Sequence, residues 1–314
     1  MLDGDRMDRE YSIVIEHSPA YELIISLYNY INNDKMKEVH LKGNWLEETK
    51  LRLPERFINE LQDERWEVLH RIVLLISQCE KKSSIPEFLN WFENLSAGEI
   101  YERLAPWVES ISNDLSVIRD RSVNILYKWN EYYFKSIDPT IQMQLKQDAI
   151  SLNEKLNVSR PIDIIETATN GLRIEQQDNL RKVILVPQYH CSPSTVLDYF
   201  DGIATCLYPI NKTFYEDGTK ELVKVMQCLG EETRLNILIF LSRGPRSLIE
   251  IHKHMNLAKS TVHHHITKLK REGIIRSHFI GSSIPAFYSL RKEAISKINN
   301  KFMAIFEGEE NFHE

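Results

Sequence analysis

Three adjacent histidines, His263, His264 and His265, form the densest group of potential ligands or proton carriers in the 314-residue sequence. Six of its 11 histidines fall between His252 and His278. Consecutive helical residues point about 100° apart, so the triplet cannot close around one ion, and no metal site is expected. A second pair, His190-Cys191, has the chemistry of a nucleophile and its base but no visible third group to orient it. A buried cysteine near a strand end is the plainer reading. Phosphate-binding loops and dinucleotide fingerprints are absent, so neither a catalytic residue nor a cofactor is expected. More telling are the neighbours of the triplet. Lys259, Ser260, Thr261, His263 and His264 crowd two helical turns, followed by Lys268, Lys270 and Arg271. Hydroxyls, imidazoles and cations on one face are the donors and acceptors that meet base edges and phosphates. An ordinary solvated face is the alternative for Lys259 and the Lys268 to Arg271 run.

These residues need a helix with one buried side, and the spacing supplies it. Val262, Ile266 and Leu269 fall at i, i+4 and i+7 within a helix expected over 258–272, with His265 at its boundary. Ala258 is an indifferent N-cap, which leaves the first amides available to a phosphate. Upstream, helices are expected over Glu221 to Leu229 and Glu231 to Leu241, the latter stopped near Gly244-Pro245. Ser247 and Glu250 have capping-box spacing and open a short helix that ends in a turn at Met255 to Leu257. Downstream, residues 276–290 alternate around Gly281-Ser282-Ser283 as a hairpin, with Pro285 on an edge strand. Helix, turn, helix and hairpin make a winged helix, whose Arg276 and His278 are expected at the DNA backbone or minor groove. A last helix, Lys292 to Phe306, carries Ile295, Ile298, Phe302 and Ile305 as a stripe suited to a dimer interface.

Charge is distributed to match. The net charge is -6, yet between Thr219 and Glu293 about 13 basic residues face about 6 acidic ones. A basic C-terminal module on an acidic body is the footprint of a DNA-binding domain with another domain attached. Hydrophobic residues at 42% and charged residues at 27% exclude disordered, collagen-like and mucin-like chains. No apolar run is longer than Ile72 to Ile76, far too short for a membrane span, and the first residues lack a signal peptide's core, so a cytoplasmic location is expected. Cys79, Cys191, Cys206 and Cys228 lie too far apart for a disulfide framework or a thiolate zinc site and read as reduced, buried thiols.

The remainder reads as a large helical domain. Helices are expected over Ser18 to Asn33, Glu64 to Lys82, Pro86 to Leu95, Ala97 to Trp107, Ser110 to Phe134 and Pro139 to Leu156, with a short strand at Tyr11 to Ile15. Val183 to Val186 and Ile203 to Tyr208 read as strands of a small sheet near 172–210, and Lys212 to Gly218 as a linker. Trp91, Phe92, Tyr101, Trp107, Trp129, Tyr132, Tyr133 and Phe134 could line a pocket, but at helical spacing they are more often core. The fold class is therefore mainly α with small β elements (α+β). Residues 1–215 form a regulatory or assembly domain, and residues 216–314 a winged helix-turn-helix domain with a C-terminal dimerisation helix.

On GEETRLNIL around Arg234, on AKSTVHHHITKLKREGII and on the short Gly-Ser wing, the chain resembles the ArsR-type winged-helix repressors. SPAYELIISL and VILVPQYH with ATCLYPI resemble an uncharacterised domain that precedes this winged helix in many bacterial regulators. The resemblance implies a dimeric bacterial transcription factor that binds double-stranded DNA at an inverted repeat, with an N-terminal domain for sensing or assembly. Where metal-sensing members carry C-x-C, this chain has Ser247 and Ile249, and no His or Asp stands between Lys292 and Phe306. An unidentified small-molecule effector on the N-terminal domain, or none, is what remains. Two other readings stay open: a winged helix that binds protein, and an N-terminal enzyme governed by its own winged helix.

Overall fold

The computed structural model describes residues 10–32, 41, 44–62, 66–210 and 218–307. It divides into two compact units, one of residues 1–161 and 178–210, the other of residues 162–177 and 211–314. In chain order the elements of the first region are β1 (Ser12–Ile15), α1 (Pro19–Ile31), α2 (Asn44–Arg52), α3 (Glu55–Gln62), α4 (Trp66–Ser77), α5 (Ile85–Asn94), α6 (Ala97–Leu104), α7 (Leu115–Tyr132) and α8 (Pro139–Glu154). There follow α9 (Pro161–Ala168), β2 (Leu172–Ile174), β3 (Lys182–Gln188), β4 (Val196–Phe200) and β5 (Ile203–Pro209).

The first unit is a four-stranded sheet in the order β1-β3-β5-β4 with helices packed on it. β1, β3 and β5 are parallel, and β4 runs antiparallel to β5. Strands of a sheet covered on both faces read as continuous apolar runs, and Val183 to Val186 is such a run, each residue at most 1% exposed. Leu23 and Leu27 of α1, Ile72 and Ile76 of α4, Phe88 of α5 and Trp129 of α7 share one core with Ile184 and Val186. Ser18 caps α1 by accepting from the Ala20 amide at 3.2 Å, and Pro19 sits in its first turn, as the sequence predicts. Capping boxes at Ser84/Glu87 and Ser96/Glu99 open α5 and α6. The expected helix over 110–134 begins later, at Leu115, because the polar stretch before it holds few residues that a helix would bury.

The second unit contains α10 (Gly218–Leu229), α11 (Glu232–Ser242), α12 (Leu248–Met255), α13 (Lys259–Arg271), β6 (Ile275–Phe279), β7 (Pro285–Leu290) and α14 (Lys292–Glu307). Most of the expected linker over Lys212 to Gly218 lies outside the described residues. Ile237, Ile251, Val262, Ile266, Leu269 and Ile275 form its core, each at most 1% exposed. At about 1.5–3 kcal/mol for each fully buried aliphatic side chain, these six outweigh any single surface contact in holding the unit together.

One boundary differs from the sequence reading. Residues 162–177 fall in the second unit rather than in a domain spanning 1–215. β2 does not join the sheet of β3, β4 and β5 but pairs in parallel with β6, giving a three-stranded sheet β2-β6-β7. Parallel pairing joins strands distant in sequence, here Leu172 with Ser277 and Ile174 with Phe279, and local periodicity carries no signal of it.

Candidate nucleic-acid interface

The helix-turn-helix is built by local rules. Arg234, 6% exposed, donates to the carbonyls of Gln227 and Cys228 at the end of α10 and so fixes the corner between α10 and α11. Glu231 caps α11 by accepting from the amides of Thr233 and Arg234 at 3.1 and 3.0 Å. Ser247 and Glu250 form the predicted capping box of α12. α12 stops at Asn256, whose φ of 52° is left-handed, and the His252 ring donates to the Leu257 carbonyl across the turn. The chain is thereby turned into α13.

Val262, Ile266 and Leu269 anchor α13 from below, and the opposite face is open to solvent. Lys259, Ser260, Thr261, His263, His264 and Arg271 are exposed, and Lys268 is half-buried. Arg271 pairs with Glu272 at 2.9 Å. His265 points the other way, 3.3 Å from Glu231, and burial lowers its pKa. The adjacent imidazoles therefore diverge, as helical geometry requires, and among the described residues no cluster suits a metal ion. Ala258 offers no side-chain cap. The first turn of α13 thus presents backbone amides, hydroxyls, an ammonium and two imidazoles on one exposed surface, suited to a phosphate and the base edges beside it.

Arg276 and His278, expected at the DNA backbone or minor groove, are both engaged by partners within the second unit. Neither side chain faces outward from the wing. Arg276 donates from Nε to both oxygens of Glu166 at 2.9 Å and from Nη2 to Glu293 at 2.6 Å. His278 is 8% exposed, stacks on Phe287 at 4.4 Å, bonds Glu175 through Nδ1 and lies 2.7 Å from Ser289 Oγ through Nε2. Glu166 and Glu175 come from residues 162–177, more than 100 positions upstream. The hydrogen bond from His278 holds the Glu175 carboxyl below its usual range. What the wing exposes instead is its tip, Ile280 to Ile284, with Ile284 at 75%. Its apolar ends and central serines were visible in sequence, but a search for cations passes over them.

In the first unit His190 is not the unsupported residue of the sequence reading. Its Nδ1 and backbone amide bond Glu22, its Nε2 lies 2.7 Å from the Tyr133 hydroxyl, and Trp45 Nε1 donates to that hydroxyl at 2.7 Å. Glu22 and His190 are each 1% exposed. Cys191 is fully buried, and burial raises its thiol pKa well above the ordinary value, which keeps it protonated and a poor nucleophile. Tyr133 and Trp129 are buried, as a core reading of the aromatic residues expects, whereas Tyr101 is 55% exposed.

Three helices, a tight turn and a hairpin behind the third helix define the second unit as a winged helix-turn-helix. Residues 231–277 match the family described as bacterial regulatory protein, arsR family, so this stretch of the second unit is an ArsR-type helix-turn-helix domain. An uncharacterised HTH-type transcriptional regulator of Methanocaldococcus jannaschii is 25% identical over 91 residues, which are 28% of this chain and 96% of that relative. Among solved structures, reduced HlyU from Vibrio cholerae is similar at 24% identity and a TM-score of 0.23, over 26% of this chain and 85% of that one. The homodimeric winged helix-turn-helix DNA-binding domain of a possible ArsR-family regulator from Mycobacterium bovis is similar at 16% identity and a TM-score of 0.24, over 31% and 87%. Among the described residues no helix is long and apolar enough to cross a membrane.

Proposed function

We propose that the chain is a homodimeric repressor that reads an inverted-repeat operator through α13. The observation that carries this is the exposed, mixed polar face of Lys259, Ser260, Thr261, His263 and His264 on a helix whose other side is locked into the core. Lys259, Lys268 and Arg271 meet phosphates, while His263 and His264 reach base edges in the major groove. The wing contributes through its tip and not through Arg276 or His278.

Dimerisation supplies the second half-site. Ile295 and Met303 on α14, with Val223 and Met226 on α10, are 37–48% exposed on two helices that pack together. An apolar surface of this kind suits a twofold contact. Two copies of α13 then fall about 34–36 Å apart, one turn of DNA, or a multiple of that. The first unit is a regulatory body, and an effector there acts by favouring one arrangement of the dimer over another.

The test is selection of bound duplexes from a random library by the full-length protein, followed by the same selection with His264→Ala. Enrichment of an inverted repeat, with preference relaxed at one position per half-site in the variant, is the expected result. Enrichment of no sequence, or an unchanged preference in His264→Ala, overturns the assignment.

A further inference from the structure

The chain leaves the first unit at residue 161, runs through the second as α9 and β2, and returns at residue 178 to become β3, the strand flanked by β1 and β5. We infer that this strap of residues 162–177 couples the regulatory unit to the DNA-binding unit. The inference deepens the DNA-binding reading and takes its regulatory meaning from it.

The strap is fitted to the winged helix. Glu166, 7% exposed, accepts from Arg173 at 2.8 Å, Arg276 at 2.9 Å and Arg291 at 3.0 Å. Its one carboxylate thereby ties α9 to β2, to β6 and to the junction of β7 with α14. Arg276 carries the tie on to Glu293, in the first turn of α14. Asn170 accepts from Arg291 at 2.7 Å. The backbones come so close that two glycines are required. A Cβ on Gly171, whose φ is +120°, would lie 2.8 Å from the Ile275 carbonyl oxygen, and one on Gly273, at φ +64°, would lie 2.2 Å from the Asn170 side chain. Between them the Ser277 amide donates to Gly171 and the Glu175 amide to Phe279, both at 2.9 Å.

Only three residues of β2 pair with β6. Short parallel pairing is weak by itself, so the buried ion cluster and the close glycine contacts hold the strap down. Release and docking are then alternative states of one element. Docked, the strap completes the wing sheet and fixes the start of α14. Because only the short turn over 178–181 separates the strap from β3, a rearrangement of that strand draws on β2, and undocking of β2 loosens the approach to β3. Coupling of this kind is reciprocal, so it can be read from either end and needs no known effector.

Hydrogen exchange on the full-length protein, segment by segment, tests this. Wild type is compared with Gly171→Ala and Glu166→Gln, which undock the strap by different means, and with Val262→Ala, which loosens the second unit through its core. In both strap variants exchange should rise about tenfold in residues 171–177 and 275–279, and also rise in 178–192, which neither substitution touches. Val262→Ala should leave 178–192 unchanged. Exchange in 178–192 that is unmoved in the strap variants, or that rises equally in Val262→Ala, overturns the inference. Anisotropy with duplex DNA on the same samples reads the DNA-binding proposal separately: no binding by wild type would sink that proposal while leaving the exchange result to decide the coupling.

Discussion

The first turns of α13 and the base of the wing look alike in sequence, each a run of basic and histidine residues beside serine, and fold to opposite ends. On α13, Lys259, His263 and His264 project into solvent over a core that holds the helix from behind. At the wing, Arg276 and His278 are covered by carboxylates from residues 166 and 175. The first arrangement leaves hydrogen-bonding capacity for a partner molecule, whereas the second spends it inside the protein. Composition therefore does not tell a recognition surface from a structural ion cluster; the deciding fact is whether a distant segment brings the opposite charge.

The largest effect that would break this comparison is expected at Glu166. Glu166→Ala removes the carboxylate that three guanidinium groups share and leaves Arg291 without an ion-pair partner there, while Arg276 keeps Glu293; breaking a largely buried ion cluster in this way costs up to about 3–5 kcal/mol. Calorimetry of the full-length protein should show this as a lowered melting temperature of the second unit. A loss under about 1 kcal/mol would mean that the cluster behaves as exposed surface pairs do. Next in size is Lys259→Ala, expected to weaken binding to all DNA sequences alike and to lower the slope of log affinity against log salt by about 0.9. Salt-titrated anisotropy checks it.

Arg276→Ala sharpens the contrast. It should lower stability yet leave the salt slope of DNA binding unchanged, opposite to the expectation from sequence, because its guanidinium is committed to Glu166 and Glu293. The smallest effect is that of pH. The Glu175 pKa is depressed in the folded state by His278, so its contribution is complete above the ordinary carboxylate pKa and is lost as pH falls through the folded value. Exchange of residues 171–177 should accordingly rise on acidification from about pH 6 to about pH 3, and less so in Glu175→Gln.

What was legible in sequence is what local physics dictates. The Ser247 capping box, the Val262, Ile266 and Leu269 stripe, the turn before α13 and the hairpin after it all stand where the spacing places them. Ser18 and Pro19 likewise announce α1. What was illegible depends on contacts across the chain. Nothing around Glu166 signals that it will meet Arg276, and nothing around Glu22 signals its bond to His190, 168 positions on. β2 is three residues long, too short for a period, and its partner β6 reads locally as half of a two-stranded hairpin. The polar face of α13 is legible because a single helix carries it whole; the partners of Arg276 and His278 are not, because Glu166 and Glu175 lie outside the motif.

The central claim is that α13 presents a free, charged reading surface to DNA. Fluorescence anisotropy of the full-length protein on duplex from its own upstream region, titrated at several salt concentrations against a scrambled competitor, tests it most directly. Specific binding that weakens steeply with salt is expected, the slope falling in Lys259→Ala and holding in Arg276→Ala. Binding that is absent or indifferent to salt, or a slope that falls in Arg276→Ala and holds in Lys259→Ala, would contradict it.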